Sequence, residues 1–365
     1  MAGETLWEIL IKVMEALDSE YIYRFRPYSP STCKEIMYNE MYFYSKDEIN
    51  DPFDLSIELV ISKGNNKVLR YFIEGAFRGS RVYNEHQLQK EDSILAIEAS
   101  KYLMSDDQPL KKLIDDNSKD FFFSLFDKHK IQGVDFTYFW KNFSNILQNL
   151  HPNNLHGVSF TKNYKNMLLW SLYANKHEGF CEIFKPSKNT LKLKKWNKKG
   201  YKDFEFLPVE YNADKKLDIS LMFDSKGDLD TQKLFSEYLP NMRRKAYLIK
   251  SNEWGREEEL RLFEDLSINF SSMEQKKDNS GFYNQLYYFH EEQLAGVILG
   301  ANMHPKNKAE ILEILQTKSH PQKVFQAIPN GNEVVVVLDR IFSNGLGSLD
   351  LGPADINMET KVPCS

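Results

Sequence analysis

Cysteine is scarce in this chain, which has three cysteines in 365 residues (Cys33, Cys181 and Cys364). Their wide spacing provides neither a CxxC pair nor the dense framework of a small disulfide-stabilised domain. This usage is typical of proteins from a reducing compartment.

Long apolar runs are also missing, and none approaches the roughly 20 residues that cross a bilayer. The first 20 residues include several acidic side chains and lack the basic start of a secretion signal. We therefore expect a cytoplasmic protein that does not bind membranes.

The chain has no overall excess of positive charge: 47 Lys and Arg stand against 52 Asp and Glu, a formal net charge of -5. This balance argues against a generally basic nucleic-acid binder, because phosphate binding needs a surplus of Lys and Arg. Glycine (17) and proline (13) are too few for a low-complexity chain, and 42% apolar residues are typical of a globular protein with a sizeable core.

The best-known catalytic signatures do not occur either. The chain lacks GxxxxGK[ST], GxGxxG after a strand, HExxH and GxSxG. Its histidines do not follow metal-ligand spacing. We predict no metal site.

The segments that are present alternate between strand and helix patterns, which indicates an α+β fold. Strands are predicted near residues 21–27, 41–45, 157–161 and 179–184, and again at several places beyond residue 206. Residues 66–150 repeat apolar positions at three- and four-residue spacing, which predicts a helical insertion. Because no flexible linker bounds this insertion, we predict one domain over residues 1–365 with a mixed or antiparallel sheet. Residues 343–365 lack periodicity and are predicted to be a loop-like tail.

Two arginines lie two residues apart in the first predicted strand, within the motif YRFRP. Arg24 and Arg26 share one face of that strand, because side chains alternate between faces. Such a pair can bind phosphate groups through bidentate hydrogen bonds. An edge strand whose arginines pair with carboxylates is an equally good interpretation.

The motif NDPFD (residues 50–54) predicts a rigid turn, since proline keeps the preceding residue out of the helical region. We expect Phe53 to anchor this turn in the core. Asn50 and Asp51 are expected to support a nearby cleft by fixing the loop.

Hydroxyl groups occupy alternate positions of the predicted strand at residues 157–161. Ser159 and Thr161 share one face, and both are candidates to orient a ligand. The following helix provides Tyr173 as a further candidate, while Trp170 is expected to be packed and to play a supporting part.

The motif WGREEELR (residues 254–261) concentrates charge on one strand face. If the segment is extended, Glu257, Glu259 and Arg261 point the same way. Closely spaced carboxylates raise each other's pKa, and a neighbouring arginine opposes that effect. On the residues alone, a solvated face with an internal Glu–Arg pair is the favoured interpretation.

Residues 185–202 contain eight lysines and no acidic residue. A solvated loop is the simpler interpretation. The alternative is a nucleic-acid-binding segment that combines charge with an aromatic ring; its candidate residues are Lys192, Lys194, Lys195, Trp196, Lys198 and Lys199.

Taken together and in order, these motifs resemble the domain of unknown function 2971 family. They are YRFRP (23–27), INDPFD (49–54), LLWSLYANKHEGFC (168–181) and WGREEELR (254–261). The resemblance covers about residues 21–316. It implies a bacterial setting of toxicity or phage defence, with an operon-encoded partner protein, but no settled activity.

The same layout is similar, at a greater distance, to the ADP-ribosyltransferase superfamily, which implies a split sheet and NAD as substrate. In that resemblance Arg24 or Arg26 holds the NAD pyrophosphate, and Ser159 and Thr161 orient the ribose. Glu259 is the first choice for the catalytic carboxylate, which stabilises the positive charge that develops on the ribose. Glu257 is the second choice, and Arg261 is the structural partner.

Three alternatives remain beside a transferase with a nucleic-acid or protein acceptor. An NAD glycohydrolase uses the same site with water as the acceptor. A non-enzymatic module binds nucleotide or nucleic acid through the lysine-rich segment. A metal nuclease built on Asp51, Asp54, Glu257 and Glu259 lacks a recognised metal signature.

Overall fold

The computed structural model describes residues 17, 20–62, 65–79, 85–103, 108–131, 133–151, 155–196, 198–211, 213–264, 285–331, 333–343 and 346–350. These residues form an α+β fold with a mixed sheet, as predicted. The strands are β1 (Ile22–Arg26), β2 (Glu40–Tyr42), β3 (Tyr44–Ser45), β4 (Glu58–Ile61), β5 (Gln108–Pro109), β6 (His156–Thr161), β7 (Phe180–Phe184), β8 (Thr190–Lys195), β9 (Lys202–Glu205), β10 (Leu207–Pro208), β11 (Glu210–Tyr211), β12 (Lys216–Asp218), β13 (Ile249–Lys250), β14 (Glu259–Phe263), β15 (Leu286–Phe289), β16 (Leu294–Leu299), β17 (Gln322–Asn330), β18 (Glu333–Ser343) and β19 (Leu346–Asp350).

The longer helices are α1 (Pro30–Tyr38), α2 (Asn66–Gly79), α3 (Glu85–Leu103), α4 (Asp116–Lys128), α5 (Phe136–Asn149), α6 (Met167–Leu172), α7 (Leu239–Leu248) and α8 (Pro305–Gln316). Helical turns at Thr231–Lys233 and Leu234–Tyr238 lead into α7. Within the described part of the chain, no helix is long and apolar enough to cross a membrane.

The main sheet has the strand order β10-β14-β6-β1-β7-β16-β17-β18-β19, and β3 also pairs with β6. The pair β16–β17 is parallel, and the other pairs in this sheet are antiparallel. Smaller sheets join β2-β15-β8-β9, β12-β4-β5 and β11-β13.

The main sheet opens between β1 and β6. Strand β1 pairs with β7 at five positions, from Ile22 to Arg26, but meets β6 only at Tyr23 opposite Thr161. The other end of β6 pairs with β3 at Tyr44 opposite Gly157. Because backbone pairing is lost along most of the β1–β6 boundary, side chains from both strands border a shared gap.

Alternation of side chains along β1 and β14 separates two hydrophobic cores. Ile22 of β1, with Leu260 and Leu262 of β14, packs in a core that also includes residues of α1 and α8. Tyr23 and Phe25 point to the opposite core. The charged residues between these apolar positions are thereby held at fixed places along the gap.

A third core belongs to the helices of the predicted insertion at residues 66–150. Helices α2 to α5 bury an aromatic-rich cluster that includes Phe72, Phe77, Phe122 and Phe139. Residues 217–242 also contribute to this cluster, which the sequence analysis missed. Their apolar positions fall in short strands, turns and the start of α7, pieces too short for a helical or a strand period to develop.

The tail predicted as loop from Ser343 includes a strand. β19 (Leu346–Asp350) pairs with β18, with Ile341 opposite Leu349. The segment LGSLD has weak strand propensity, so its extended form depends on hydrogen bonds to the long neighbouring strand, which its own sequence does not reveal. Residues 351–365 lie outside the described residues.

Candidate functional site

A cleft of about 360 Å³ lies where the main sheet opens. Its lining includes candidate residues from three segments far apart in sequence: Arg24 and Arg26 of β1, Ser159 and Thr161 of β6, and Glu257, Glu259 and Arg261 at β14. Ser159 is exposed to the cleft, whereas Thr161 is buried and its hydroxyl accepts a hydrogen bond from the Asn163 amide at 3.1 Å. The volume falls in the range of about 300–1,000 Å³ that is usual for small-molecule sites.

Glu259 is buried and accepts four hydrogen bonds. Arg261 donates to both carboxylate oxygens, from Nε at 2.6 Å and from Nη2 at 2.9 Å. Lys250 Nζ donates at 3.1 Å, and the Ser159 hydroxyl donates to Oε1. Burial alone raises the pKa of Glu259, but the charges of Arg261 and Lys250 hold it below its usual value. Glu259 is therefore an ionised carboxylate whose acceptor positions are occupied.

Glu257 has fewer partners although it is equally buried. The Tyr173 hydroxyl donates to Oε1 at 2.8 Å, and Lys250 Nζ donates to Oε2 at 2.6 Å. Burial raises the pKa of Glu257, against the lowering effect of Lys250. A carboxylate with two donors keeps lone pairs for a ligand, since each carboxylate accepts about four hydrogen bonds.

Two further residues organise these carboxylates: Lys250, which the sequence analysis did not consider, and Asp54, which it named only among the acids of a metal nuclease. Asp54 receives two hydrogen bonds from Arg261, at 2.8 Å and 2.5 Å. Lys250 lies 3.5 Å from Asp54 and bonds both glutamates. Burial raises the pKa of Asp54, but Arg261 and Lys250 outweigh this effect and lower the pKa to about 2. These charges come from segments far apart in the chain, so their pairing leaves no local signal in the sequence.

On the other side of the cleft, Arg24 and Arg26 pair with carboxylates. Arg24 Nη1 donates to Glu35 at 3.0 Å and to Glu182 at 3.4 Å, and Arg26 Nη2 donates to Glu35 at 2.5 Å and to the Tyr44 hydroxyl at 2.9 Å. Strand β1 lies inside the sheet, so the interpretation of an edge strand was wrong. The ion pairs with carboxylates that belonged to that interpretation are present. Among the described residues, the buried Arg24 Nη2 and Arg26 Nε have no hydrogen-bond partner.

Glu182 gives a pH-dependent prediction. Burial raises its pKa to about 7 from the ordinary 4.5, against the effect of Arg24. Because the fold favours the protonated form, this group stabilises the protein most below pH 4.5, and that contribution is lost as the pH rises to 7. We expect the difference in free energy of unfolding between wild type and Glu182→Gln to change by about 3 kcal/mol across this window.

Urea unfolding at a series of pH values measures this difference. The wild type should lose stability relative to Glu182→Gln as the pH rises. Parallel stability curves for the two proteins would show that Glu182 does not titrate in this window.

The NDPFD turn lies beside the cleft but differs from its prediction in one residue. Asn50 lines the cleft, and the buried Asp51 accepts a hydrogen bond from the Phe53 amide at 2.9 Å, which fixes the loop. Phe53 is 77% exposed and is not a core anchor. The tight turn directs its ring outward, which composition alone does not predict.

Trp170 is fully buried, in agreement with its expected packing. Its indole donates to the Tyr164 carbonyl at 2.8 Å, and its ring meets Phe25 edge-on at 4.9 Å. Trp170 therefore supports β1 from the face opposite the arginines.

The lysine-rich segment forms a β-hairpin, β8–β9, and not a simple loop. Trp196 is 51% exposed, and Lys192, Lys198 and Lys199 are also exposed. Lys195 instead pairs with Glu264 at 2.7 Å, and Lys194 lies over the Tyr201 ring at 5.5 Å. The hairpin lies outside the lining of the cleft.

The acids considered for a metal nuclease make other contacts. Asp54, Glu257 and Glu259 bind Lys250 and Arg261, and Asp51 caps its own turn. Within the described residues, no group of three or more His, Cys, Asp or Glu is placed to hold a metal ion.

Comparison with known proteins identifies one family. The model of a family described as "Protein of unknown function (DUF2971)" matches residues 169–262, which confirms the family resemblance. The match includes β7 and most of α6 and β14. The YRFRP and NDPFD motifs lie outside the matched residues. No curated protein and no solved structure matches the chain.

Proposed function

We propose that this chain, which belongs to the DUF2971 family, binds NAD in the β1–β6 cleft and breaks the nicotinamide–ribose bond. ADP-ribose then passes to an acceptor on a macromolecule, either nucleic acid or protein. The observation that supports this most is that three motifs, far apart in sequence, line one cleft.

The arginine pair is suited to the NAD pyrophosphate. Arg24 Nη2 and Arg26 Nε are buried donors without partners among the described residues, and such donors are costly unless a ligand accepts from them. With its pKa raised to about 7, Glu182 is partly protonated at neutral pH, which leaves the two arginines with excess positive charge. A phosphate group matches that charge.

The contacts favour Glu257 over Glu259 as the carboxylate beside the ribose. Glu259 already accepts from Arg261, Lys250 and Ser159, whereas Glu257 accepts from two donors. We therefore reverse the order in which the sequence ranks the two glutamates. Glu259 then holds Arg261 and Lys250 in place.

The reaction requires one bond to break and one to form. The nicotinamide nitrogen leaves with the bonding electron pair, and positive charge develops on the ribose, where the Glu257 carboxylate stabilises it. An acceptor O–H or N–H attacks the same carbon, and its proton passes to solvent water. Water in that position gives the glycohydrolase alternative, and NAD binding without turnover gives the binding-module alternative.

The biological setting is proposed from the family resemblance. In bacterial toxicity or phage defence, an enzyme that consumes NAD or modifies a macromolecule stops growth of the host cell. An operon-encoded partner would restrain or trigger it. These statements rest on the resemblance and not on the geometry.

Filling the cleft tests whether NAD binds there. Ser159→Trp should weaken NAD binding by at least about 100-fold in calorimetric titration, because the indole occupies the space of the ribose. Ser124→Trp, at an exposed position on α4, provides the matched control and should bind like wild type. Equal binding by wild type and Ser159→Trp, or no binding by wild type, would overturn the proposal.

A further inference from the structure

A second cavity, of about 510 Å³, lies next to the cleft. Lys250 lines both cavities, so that this side chain and its carboxylate partners separate them. The lining of the second cavity includes the buried apolar residues Leu59 and Ile249. It also includes four more accessible residues, here called the rim: Phe53, Lys111, His151 and Lys215.

Phe53 is presented at this rim by a fixed backbone. Asp51 accepts from its amide at 2.9 Å, and Lys215 Nζ donates to its carbonyl at 2.6 Å. The ring itself is 77% exposed beside an open cavity. The face of this fixed ring is therefore open to stack on a flat ligand group.

The rim is positively charged. Lys111 and Lys215 stand against a single carboxylate, Glu58, because Lys250 is already neutralised by its acidic partners. Burial and the nearby Lys46 lower the pKa of His151, which keeps this imidazole neutral at pH 7. An anion that binds beside the two lysines balances their positive charge.

We propose that the second cavity binds a nucleotide of a single-stranded nucleic acid, with its base on the Phe53 ring and its phosphates beside Lys111 and Lys215. Aromatic rings stack on any unpaired base, and lysines follow the backbone. A duplex does not offer a free base face, so the single-stranded form fits better. Binding does not depend on NAD; only the further role of this cavity as the acceptor site rests on the proposed function.

Fluorescence anisotropy with a labelled single-stranded oligodeoxynucleotide of about ten residues tests the site, and an RNA of the same sequence forms a second arm. Phe53→Ala should weaken binding by about 5- to 100-fold, the range expected when one stacked base is lost. Phe235→Ala is the matched control, since Phe235 is 69% exposed and lines neither cavity. That variant should bind like wild type.

Charge reversal gives a second, independent readout. Lys111→Glu should weaken binding relative to wild type, and this difference should grow as the salt concentration is lowered. Lys119→Glu, at another exposed lysine, on α4, should have little effect. Absence of binding, or equal loss in Phe53→Ala and Phe235→Ala, would overturn the inference. Loss only when Trp196, Lys198 and Lys199 are replaced would also overturn it, because the β8–β9 hairpin would then be the site. Since the assay contains no NAD, its failure leaves the NAD proposal untouched.

Discussion

Replacing Glu257 by glutamine is expected to lower the rate of nicotinamide release by about 100- to 10,000-fold with little change in KM. The amide keeps the size of the side chain and can still accept from Lys250 through its oxygen, with its NH2 group turned to the Tyr173 oxygen, but it cannot balance positive charge on the ribose. Because burial raises the pKa of Glu257, the wild-type rate should increase with pH through a pKa above the ordinary glutamate value. Chromatography of released nicotinamide over a pH series measures both effects.

Glu258→Gln is the matched control for this experiment. Glu258 is the adjacent residue, is exposed and does not line the cleft, so the same chemical change there should leave the rate unaltered. Glu259→Gln should lower thermal stability, and it should lower the rate of nicotinamide release less than Glu257→Gln does. A folded Glu259→Gln that is inactive, beside an active Glu257→Gln, would restore the order in which the sequence ranks the two residues.

Replacing Asp54 by alanine is expected to lower the free energy of unfolding by about 3–5 kcal/mol. The change leaves the buried Arg261 without the carboxylate that accepts from Nη1 and Nη2, and it removes one partner of Lys250. Arg261 keeps its pairing with Glu259, but buried charged donors that lose their acceptor cost far more than the loss of an apolar contact. Chemical denaturation at neutral pH measures the effect.

The same residue should be visible in the pH dependence of stability. Its pKa falls from 3.8 to about 2 on folding, so it stabilises the protein above pH 3.8 and this contribution is lost as the pH falls towards 2. The contribution is about 2 kcal/mol. Asp47→Ala, at an exposed position, should change stability by less than about 0.5 kcal/mol. An Asp54→Ala protein as stable as that control would refute the account of the Arg261 network.

Local patterns predicted the positions of the cleft residues well where the chain is extended. Alternation placed Arg24 and Arg26 together on β1, opposite Tyr23 and Phe25, as the two cores show. It failed at Glu257, which lies in a helical turn before β14. Glu258 adopts φ 50°, so the chain bends there, and Glu257 reaches the cleft by the bend and not by the strand period.

The hydrogen-bond partners of the cleft residues were less predictable than the strand faces on which these residues lie. Nothing near Lys250 in the sequence indicates that it bonds Glu257 and Glu259, and Asp54 lies 207 residues before its arginine. Such pairs depend on which strands become neighbours, and a single sequence does not encode this in a local period. The unpaired strand edge between β1 and β6, which opens the cleft, is a property of the assembled sheet for the same reason.

Nicotinamide release from NAD by the purified wild-type chain tests the central claim most directly. The reaction should be followed with NAD alone, with single-stranded nucleic acid and with cell extract, beside Ser159→Trp as the blocked form. We predict release that depends on the protein, disappears in Ser159→Trp and is faster with an acceptor; release without an acceptor requirement would assign the glycohydrolase reaction. Intact NAD under all three conditions, from a folded protein, would contradict the account.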